Sequence, residues 1–521
     1  MTGEEAGTLC PTERGPAVAA ELQNVAELVT AAAQERPDAA ALVDTASGAS
    51  LTWAGVDAAV DAQARALLEA GLSHGDRVAL RLPTSAELAV AFFAVARAGG
   101  VAVPLSPQAP PAEVRPILTE AGARLLLTRD GTGLGDGLAV LEPIDPAVAG
   151  GQGGPVEPAP GGEDIAALCF VSGTAGPARG VMLSHRALLA NVAQVGELSP
   201  PVARPGDRVF LAIPLFHIYG LGPGLLQATA AGATLVLAER FDARKALADC
   251  AAHRVTVVLG VPGMYTELAA LPPDEVGEAL STVRLLISGA APLHPRTLAA
   301  MREATGLAVF EGYGLTEAAP VVTSTLATGY AKPGSVGRPV PGVELRLVDS
   351  DGTPEAVPLD PADPADTFAD ESGGTGLVAL RGANLFSGYW PDGAHGPDAD
   401  GWFRTGDVGY IDVDGDLHLV DRANDLIIVN GFNVFPHEVE DVIAGLPGVA
   451  EVAVVGVIDE RSGEAVKAVV VPAAGAALSE QQVLDRCAER LAGYKVPRTV
   501  EFAERLPHSA TGKVRRARLR E

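Results

Sequence analysis

The feature that most limits the fold is a repeated alternation of strand and helix patterns along 521 residues. Residues 25–36 carry an amphipathic helical pattern that stops before Pro37. Residues 51–53 read as a short strand, and 54–70 as a helix closed by Gly71. Residues 77–82 are a strand, 85–98 a helix closed by Gly99 and Gly100, and 101–105 the next strand. Similar units recur at 166–171, 185–195, 208–213, 234–238, 242–253, 255–260 and 283–288. Strands separated by helices predict α/β layers dominated by parallel sheets, because a parallel crossover needs a connection of helix length.

A chain of this length exceeds one core, so two or more domains are expected. The texture changes from about residue 424. Strands at 426–429, 449–457 and 464–471 interleave there with helices at 436–445 and 479–491, which predicts a compact α+β unit. Residues 129–163 and 351–374 are rich in glycine, proline and acid and read as loops. Residues 402–407 read as a loop before a hairpin over 408–420.

The net charge is −27, which excludes nucleic acid as a partner and binding to anionic membrane by charge. Cys10, Cys169, Cys250 and Cys487 are scattered with no Cys-x-x-Cys, the pattern of a reducing compartment without structural zinc. The first 15 residues carry Glu4, Glu5 and Glu13 and no apolar core, unlike a signal peptide. The apolar stretch 86–105 is broken by Glu87 and Arg97, so no membrane span is predicted and a cytoplasmic location is expected.

The chemistry is concentrated in a few loops. Ser172, Gly173, Thr174, Ala175, Gly176, Pro177, Ala178, Arg179 and Gly180 follow an apolar strand pattern. Small and hydroxyl residues with one cation can turn backbone N–H groups onto phosphate, although this is not the Walker loop. A solvated turn is the competing reading. Tyr313-Gly314-Leu315-Thr316-Glu317 offers a hydroxyl and a hard carboxylate oxygen; taken alone, Thr316 also suits a helix cap. Asp407 ends Trp402-Phe403-Arg404-Thr405-Gly406-Asp407, and a carboxylate there can accept two hydroxyls of a cis-diol or simply end a turn. Thr511-Gly512-Lys513 places a cation beside a basic tail.

In this order, over nearly the whole length, these stretches resemble the adenylate-forming superfamily of acyl-CoA synthetases, peptide-synthetase adenylation domains and luciferases. The resemblance is greatest to fatty-acyl-CoA ligases. It implies a large N-terminal domain over 1–421, made of parallel-rich αβ layers plus a distorted barrel. It further implies a hinge at 422–425 and a small mobile α+β domain over 426–521. Ser172, Gly173, Thr174, Gly176 and Arg179 would hold the β- and γ-phosphates of ATP, with arginine where the family has lysine. Gly289, Ala290, Ala291, Glu311, Gly312 and Tyr313 would form the adenine pocket, with Tyr313 stacking on the base. Asp407 and Arg422 would hold the ribose. Thr316, Glu317 and Lys513 would be catalytic, and Thr174 with Glu317 would hold Mg²⁺. Asn424 would serve the hinge.

Pro214-Leu215-Phe216-His217-Ile218-Tyr219-Gly220 carries no acid near the place where amino-acid-activating relatives pair a substrate ammonium. This fits an acid without an α-amine, with His217, Tyr219, Gly220 and Gly314 in the acyl pocket; a satisfied core histidine is the alternative for His217. Gly431 and Phe432 would line the tunnel for CoA. The implied activity is an acid–thiol ligase that forms acyl-AMP from ATP and a medium- or long-chain fatty acid, or another non-amino acid, then the CoA thioester. An acyl-AMP ligase loading a carrier-protein phosphopantetheine is the alternative, prompted by the long run 351–374. A non-catalytic adenylate-binding protein is a third, prompted by Ala175, Ala178 and Arg179. Oligomerisation is left open.

Overall fold

The computed structural model describes residues 19, 21–130, 134, 138–147, 154–171, 178–348, 376–422, 427–429, 432–434, 436–459, 463–491, 493–508 and 514–520. Two large sheets form its layers. The first has nine strands in the order Arg338–Pro339, Val321–Ser324, Val309–Gly314, Leu285–Ser288, Val257–Gly260, Arg208–Leu211, Thr234–Leu237, Ala40–Asp44 and Ser50–Thr52. Its centre, from Ala40–Asp44 to Val309–Gly314, is wholly parallel. The second has six strands in the order Ala139–Leu141, Ala123–Thr128, Arg77–Arg81, Val101–Pro104, Ile165–Val171 and Arg179–Ser184. All its pairings are parallel except the last.

The helix Ala86–Arg97 explains how these sheets become layers of one body. Ser85 accepts from Leu88 N–H and caps it, and apolar side chains cover nearly every face. A helix that is apolar all round must be buried on all sides. This one packs on Arg77–Arg81 and Val101–Pro104 of the second sheet and on Ala40–Asp44 of the first. Its last residue is Arg97, only 2% exposed. Arg97 pairs with Asp57 and Asp61 at 2.6 Å each and donates to the Thr30 hydroxyl at 2.9 Å. Three helices are thereby locked at one charged point. A buried cation is tolerated only when its partners are in place.

Several sequence expectations shift in detail. Trp53 begins the helix Trp53–Glu69 rather than ending a strand, because Thr52 caps that helix by accepting from Gly55 N–H. The loop expected over 129–163 contains a strand, Ala139–Leu141, paired with Ala123–Thr128. Residues 402–407 are not a loop: Phe403–Ile411 is one strand, paired with Gly376–Gly382 on one side and Leu417–Arg422 on the other. Gly406, with φ of +78°, lies in a bulge where the pairing with Gly376–Gly382 shifts register, and the strand continues through it. With Val343–Val348 these strands make a four-stranded antiparallel sheet in the part expected as a distorted barrel.

That sheet is tied to the first by a bridge between Gly337 and Leu417 and by a charged cluster at the Leu417 hairpin. Lys332 Nζ lies 2.6 Å from Asp412, 2.7 Å from Asp414 and 3.5 Å from Asp416. Arg338 pairs with Asp416 at 2.8 Å, and His418 contacts Asp412 at 2.6 Å. The Lys332 ammonium and the surrounding donors overcome partial burial and hold the Asp412 carboxyl well below its ordinary range.

Beyond residue 426 the chain builds its own core. Phe432–Val434, Ile427–Val429, Gly463–Pro472 and Val449–Asp459 form a sheet, with Thr499–Phe502 added parallel to Gly463–Pro472. Ile427, Val439, Ile443, Val454, Val466 and Val483 pack among themselves, apart from the core of the large sheets. Among the described residues no helix is long and apolar enough to cross a membrane.

Asp61→Ala should lower stability by about 3 kcal/mol, since it strips a buried charge of a partner. The Asp61→Ala, Arg97→Met double variant should recover part of that loss. Unfolding in urea, followed by tryptophan fluorescence, measures both.

Candidate functional site

In open parallel sheets ligands bind beyond the carboxyl ends of the strands. Here Arg208–Leu211, Val257–Gly260, Leu285–Ser288 and Val309–Gly314 lie side by side and end together. Their following segments carry most of the described candidate residues.

After Leu285–Ser288 comes Gly289. A side chain there would meet the Tyr219 ring at 2.7 Å, so glycine is what allows that ring to close over the strand end. Ala290 follows with φ of +73°, an unusual backbone angle for a non-glycine residue. The loop is held from below by Glu311, which stands opposite Ser288 in the neighbouring strand and accepts from Leu293 N–H at 2.9 Å. Burial pushes the Glu311 carboxyl up to about 7, against the stabilising effect of that single N–H. Its side chain therefore faces the protein and braces the loop.

Tyr313, two residues on, is buried, and its hydroxyl donates to Asp407 Oδ2 at 2.5 Å. Asp407 N–H donates in turn to Thr405 Oγ1 at 3.0 Å. Asp407 stands directly across from Arg422 in the Phe403–Ile411 and Leu417–Arg422 pair. The sheet thus brings the two residues assigned to the ribose into register, and Tyr313 links them to the glycine loop. Gly312 instead lets its strand lie close to Val321–Ser324, since a side chain on it would meet Thr323 O at 2.9 Å.

Thr316–Ala318 is a single 3₁₀ turn whose cap position is Leu315, so Thr316 is its first residue and not its cap. Glu317 is half-buried on that turn. Its carbonyl accepts from Phe386 N–H at 2.9 Å, and its carboxylate Oε1 accepts from the Tyr389 hydroxyl at 2.6 Å. The Tyr389 ring lies beneath the Arg179 guanidinium, 4.0 Å from its centroid. Arg179 opens the strand Arg179–Ser184, directly after the stretch assigned to phosphate.

Beside the strand ends is a cavity of about 260 Å³. Ile213, Phe216, Tyr219, Val261 and Met264 give it apolar and aromatic walls; Thr84, Gln108 and His217 add polar edges, and Glu239 with Arg240 a charged pair. Ala290 closes one side. His217 Nδ1 accepts from Tyr219 N–H at 3.2 Å, which in the neutral ring leaves the proton on Nε2. Burial raises the Tyr219 hydroxyl, so it stays protonated.

Gly220 and Gly314, also assigned to the acyl pocket, are set by close contacts of their own backbone. A side chain on Gly220 would strike Pro214 O, and one on Gly314 would strike Pro320 O. Both are glycine for close backbone contact, and neither lines this cavity. Ala291 is exposed at the loop's outer edge. Ser172, Gly173, Thr174, Gly176, Asn424, Gly431 and Lys513 fall outside the described residues, as does the run 351–374. Arg422 and Phe432 lie in strands, with side chains outside the description.

Sequence reasoning missed Tyr389, Phe386 and Met264. The cluster Phe386-Ser387-Gly388-Tyr389-Trp390 was the available signal for the first two, an aromatic run bounded by glycine in a polar loop. Met264 sits in an ordinary helix, Pro262–Ala269, and gave none.

Over residues 29–390 the sequence matches the AMP-binding enzyme family, and over residues 438–513 the AMP-binding enzyme C-terminal domain. The chain belongs to the AMP-binding enzyme family. Among curated relatives, a feruloyl-CoA synthase of Amycolatopsis sp is 37% identical over 91% of this chain and 94% of its own length. A long-chain-fatty-acid–CoA ligase of Escherichia coli O157:H7 is 34% identical over 87% of this chain and 86% of its own. Among solved structures, the o-succinylbenzoate CoA synthetase MenE of Bacillus subtilis, in complex with its acyl-adenylate intermediate OSB-AMP, superposes with a TM-score of 0.80. It is 27% identical and covers 96% of this chain and 98% of its own.

The buried Glu311 predicts a pH signature. Its folded pKa is raised from 4.5 to about 7, so between these values the folded protein keeps a proton that the unfolded chain releases. Its contribution to stability is present below pH 4.5 and is lost as the pH rises to 7. The melting temperature of the wild type minus that of Glu311→Gln should fall across that window and level off above it. A flat difference across the same buffers would count against the buried, neutral carboxyl.

Proposed function

We propose that the chain is an AMP-forming acyl-CoA ligase for a compact carboxylic acid without an α-amine, activated at the carboxyl edge of the nine-stranded sheet. The observation that carries this reading is Ala290. It belongs to the loop assigned to adenine, and it also walls the cavity assigned to the acid. One residue joining both spaces suits a reaction in which a carboxylate must meet the α-phosphate.

The steps follow from charge. A carboxylate oxygen attacks the α-phosphorus of ATP, and pyrophosphate leaves. Both partners are anionic, so cations must offset their repulsion. In this reading Lys513 reaches both, Arg179 faces the phosphates, and Asp407 accepts the ribose hydroxyls. Glu317, with Thr174, supplies hard oxygen ligands for Mg²⁺, which when bound neutralises phosphate charge. The CoA thiol then attacks the activated carbonyl; the acyl C–O bond breaks, AMP leaves with its electron pair, and the thiol proton passes to solvent. Rotation of the domain beyond the hinge at 422–425 would withdraw Lys513 and present Gly431 and Phe432, letting one site serve two second reactants.

The size of the cavity supports a compact acid. Its 260 Å³ falls just below the span of ligand pockets, which run from about 300 to 1,000 Å³. Phe216 and Tyr219 favour a flat or short substrate over a long alkyl chain. The relatives include both a feruloyl-CoA synthase and long-chain-fatty-acid–CoA ligases, so the choice rests on the cavity and not on them. A polar end group on the acid would find Gln108 and His217 at the edges.

The test is ATP–pyrophosphate exchange over ferulate, 4-coumarate, benzoate, hexanoate, palmitate and phenylalanine, with CoA products identified afterwards. kcat/KM for the aryl-propenoates or hexanoate should exceed that for palmitate at least tenfold, and phenylalanine should give no exchange. Palmitate as the best substrate would overturn the compact assignment. Lys513→Ala should lose adenylate formation at least a hundredfold while retaining thioester formation from supplied acyl-AMP; equal loss of both would remove Lys513 from the first step.

A further inference from the structure

We propose that Tyr389 is a positioning residue for the adenylation step, setting the Glu317 carboxylate with its hydroxyl and seating the Arg179 guanidinium on its ring. This rests on the reading of Glu317 and Arg179 given above and adds the side chain that makes them one unit.

Tyr389 is itself fixed from two directions. Its backbone bridges to Val181, and the next residue, Trp390, donates N–H to Gly180 O at 2.8 Å. Ser387 N–H donates to Met182 O, and Met182 N–H to Gly388 O. The segment is therefore laid along the strand that Arg179 begins. On the other side, Phe386 meets the Tyr389 ring edge to face at 5.1 Å and 76° while its N–H holds the Glu317 carbonyl. The backbone bonds fix where the residue sits, and turning its ring would break the hydroxyl bond to Glu317 and lift it off the Arg179 guanidinium.

The chemistry suits the geometry. A phenol donor to one carboxylate oxygen fixes the plane of the carboxylate and so the direction of its other oxygen. Second partners of this kind orient the ligands that hold a metal, and their loss commonly costs ten- to a hundredfold in metal affinity. The guanidinium above the ring is attracted to its negative face and strengthens the phenol as a donor. The family's lysine would place a compact ammonium there. Arginine spreads a flat cation over the same face while keeping N–H groups for phosphate. The departure at residue 179 thus has a partner at residue 389.

The test separates hydroxyl from ring. Mn²⁺ is titrated into the full-length protein with a non-hydrolysable ATP analogue, and free Mn²⁺ is read by electron paramagnetic resonance. Analogue affinity without metal is measured separately, and the thermal midpoint checks the fold. Tyr389→Phe should weaken Mn²⁺ at least tenfold and leave metal-free analogue affinity within twofold. Tyr389→Leu should weaken both, and Arg179→Lys chiefly the second. In the Glu317→Gln background, Tyr389→Phe should cost less than twofold more, a non-additivity that a purely structural tyrosine does not produce. Wild-type Mn²⁺ affinity in Tyr389→Phe, with Glu317→Gln weakened, would overturn the proposal and leave the functional reading standing. Wild-type affinity in Glu317→Gln as well would overturn the proposal and also remove Glu317 from the metal in the functional reading.

Discussion

The site depends on one seam of backbone hydrogen bonds. Residues 386–390 lie along the strand Arg179–Ser184 of the six-stranded sheet while Phe386 N–H grips the carbonyl of Glu317 beyond the nine-stranded sheet. Phe386 also packs edge to face on Phe403, the first residue of the strand that carries Asp407. Three sheets are fastened at this point, each bringing a charged group. Backbone bonds suit the task because every N–H and C=O buried here needs a partner, so the alignment is enforced at each residue.

Around this seam the charged groups differ in exposure and in partners. Glu317 is half-buried and Arg179 exposed. Asp407 is buried and served by the Tyr313 hydroxyl and its own N–H bond. Glu311 is buried with one donor, and its environment favours the neutral form. Carboxylates of similar chemistry on neighbouring elements thus divide into one that braces the loop as an acid and others available to cations and hydroxyls. Glu311 and Asp407 are equally buried, and what differs is the partner each meets, a backbone N–H for one and a phenol for the other.

Much of this was legible in the sequence. The alternation of strand and helix up to residue 260 placed the layers within a few residues, since apolar periodicity and glycine or proline stops are local signals. The family resemblance was carried by Tyr313, Thr316, Glu317 and Asp407. What failed was non-local. Gly406 with its turn-like neighbours suggested a loop, but pairing on both flanks pulls 403–411 into a strand. The close approach of Gly220 to Pro214 O and of Gly314 to Pro320 O is likewise set by segments that local pattern does not reveal. The partnership of Tyr389 with Glu317 and Arg179 crosses three segments, and no spacing in the sequence encodes it.

The hairpin beside the ribose strand carries a further consequence. Asp412, Asp414 and Asp416 converge as the oxygens of an ion-binding loop do, with Lys332 standing where the ion would be. The counter-charge is covalently part of the chain, so its local concentration never varies. The far end of this hairpin leads into Arg422 and the proposed hinge. Because that ammonium is tethered, these carboxylates stay partnered whether divalent ions are scarce or abundant, and the hairpin keeps its shape without needing a metal.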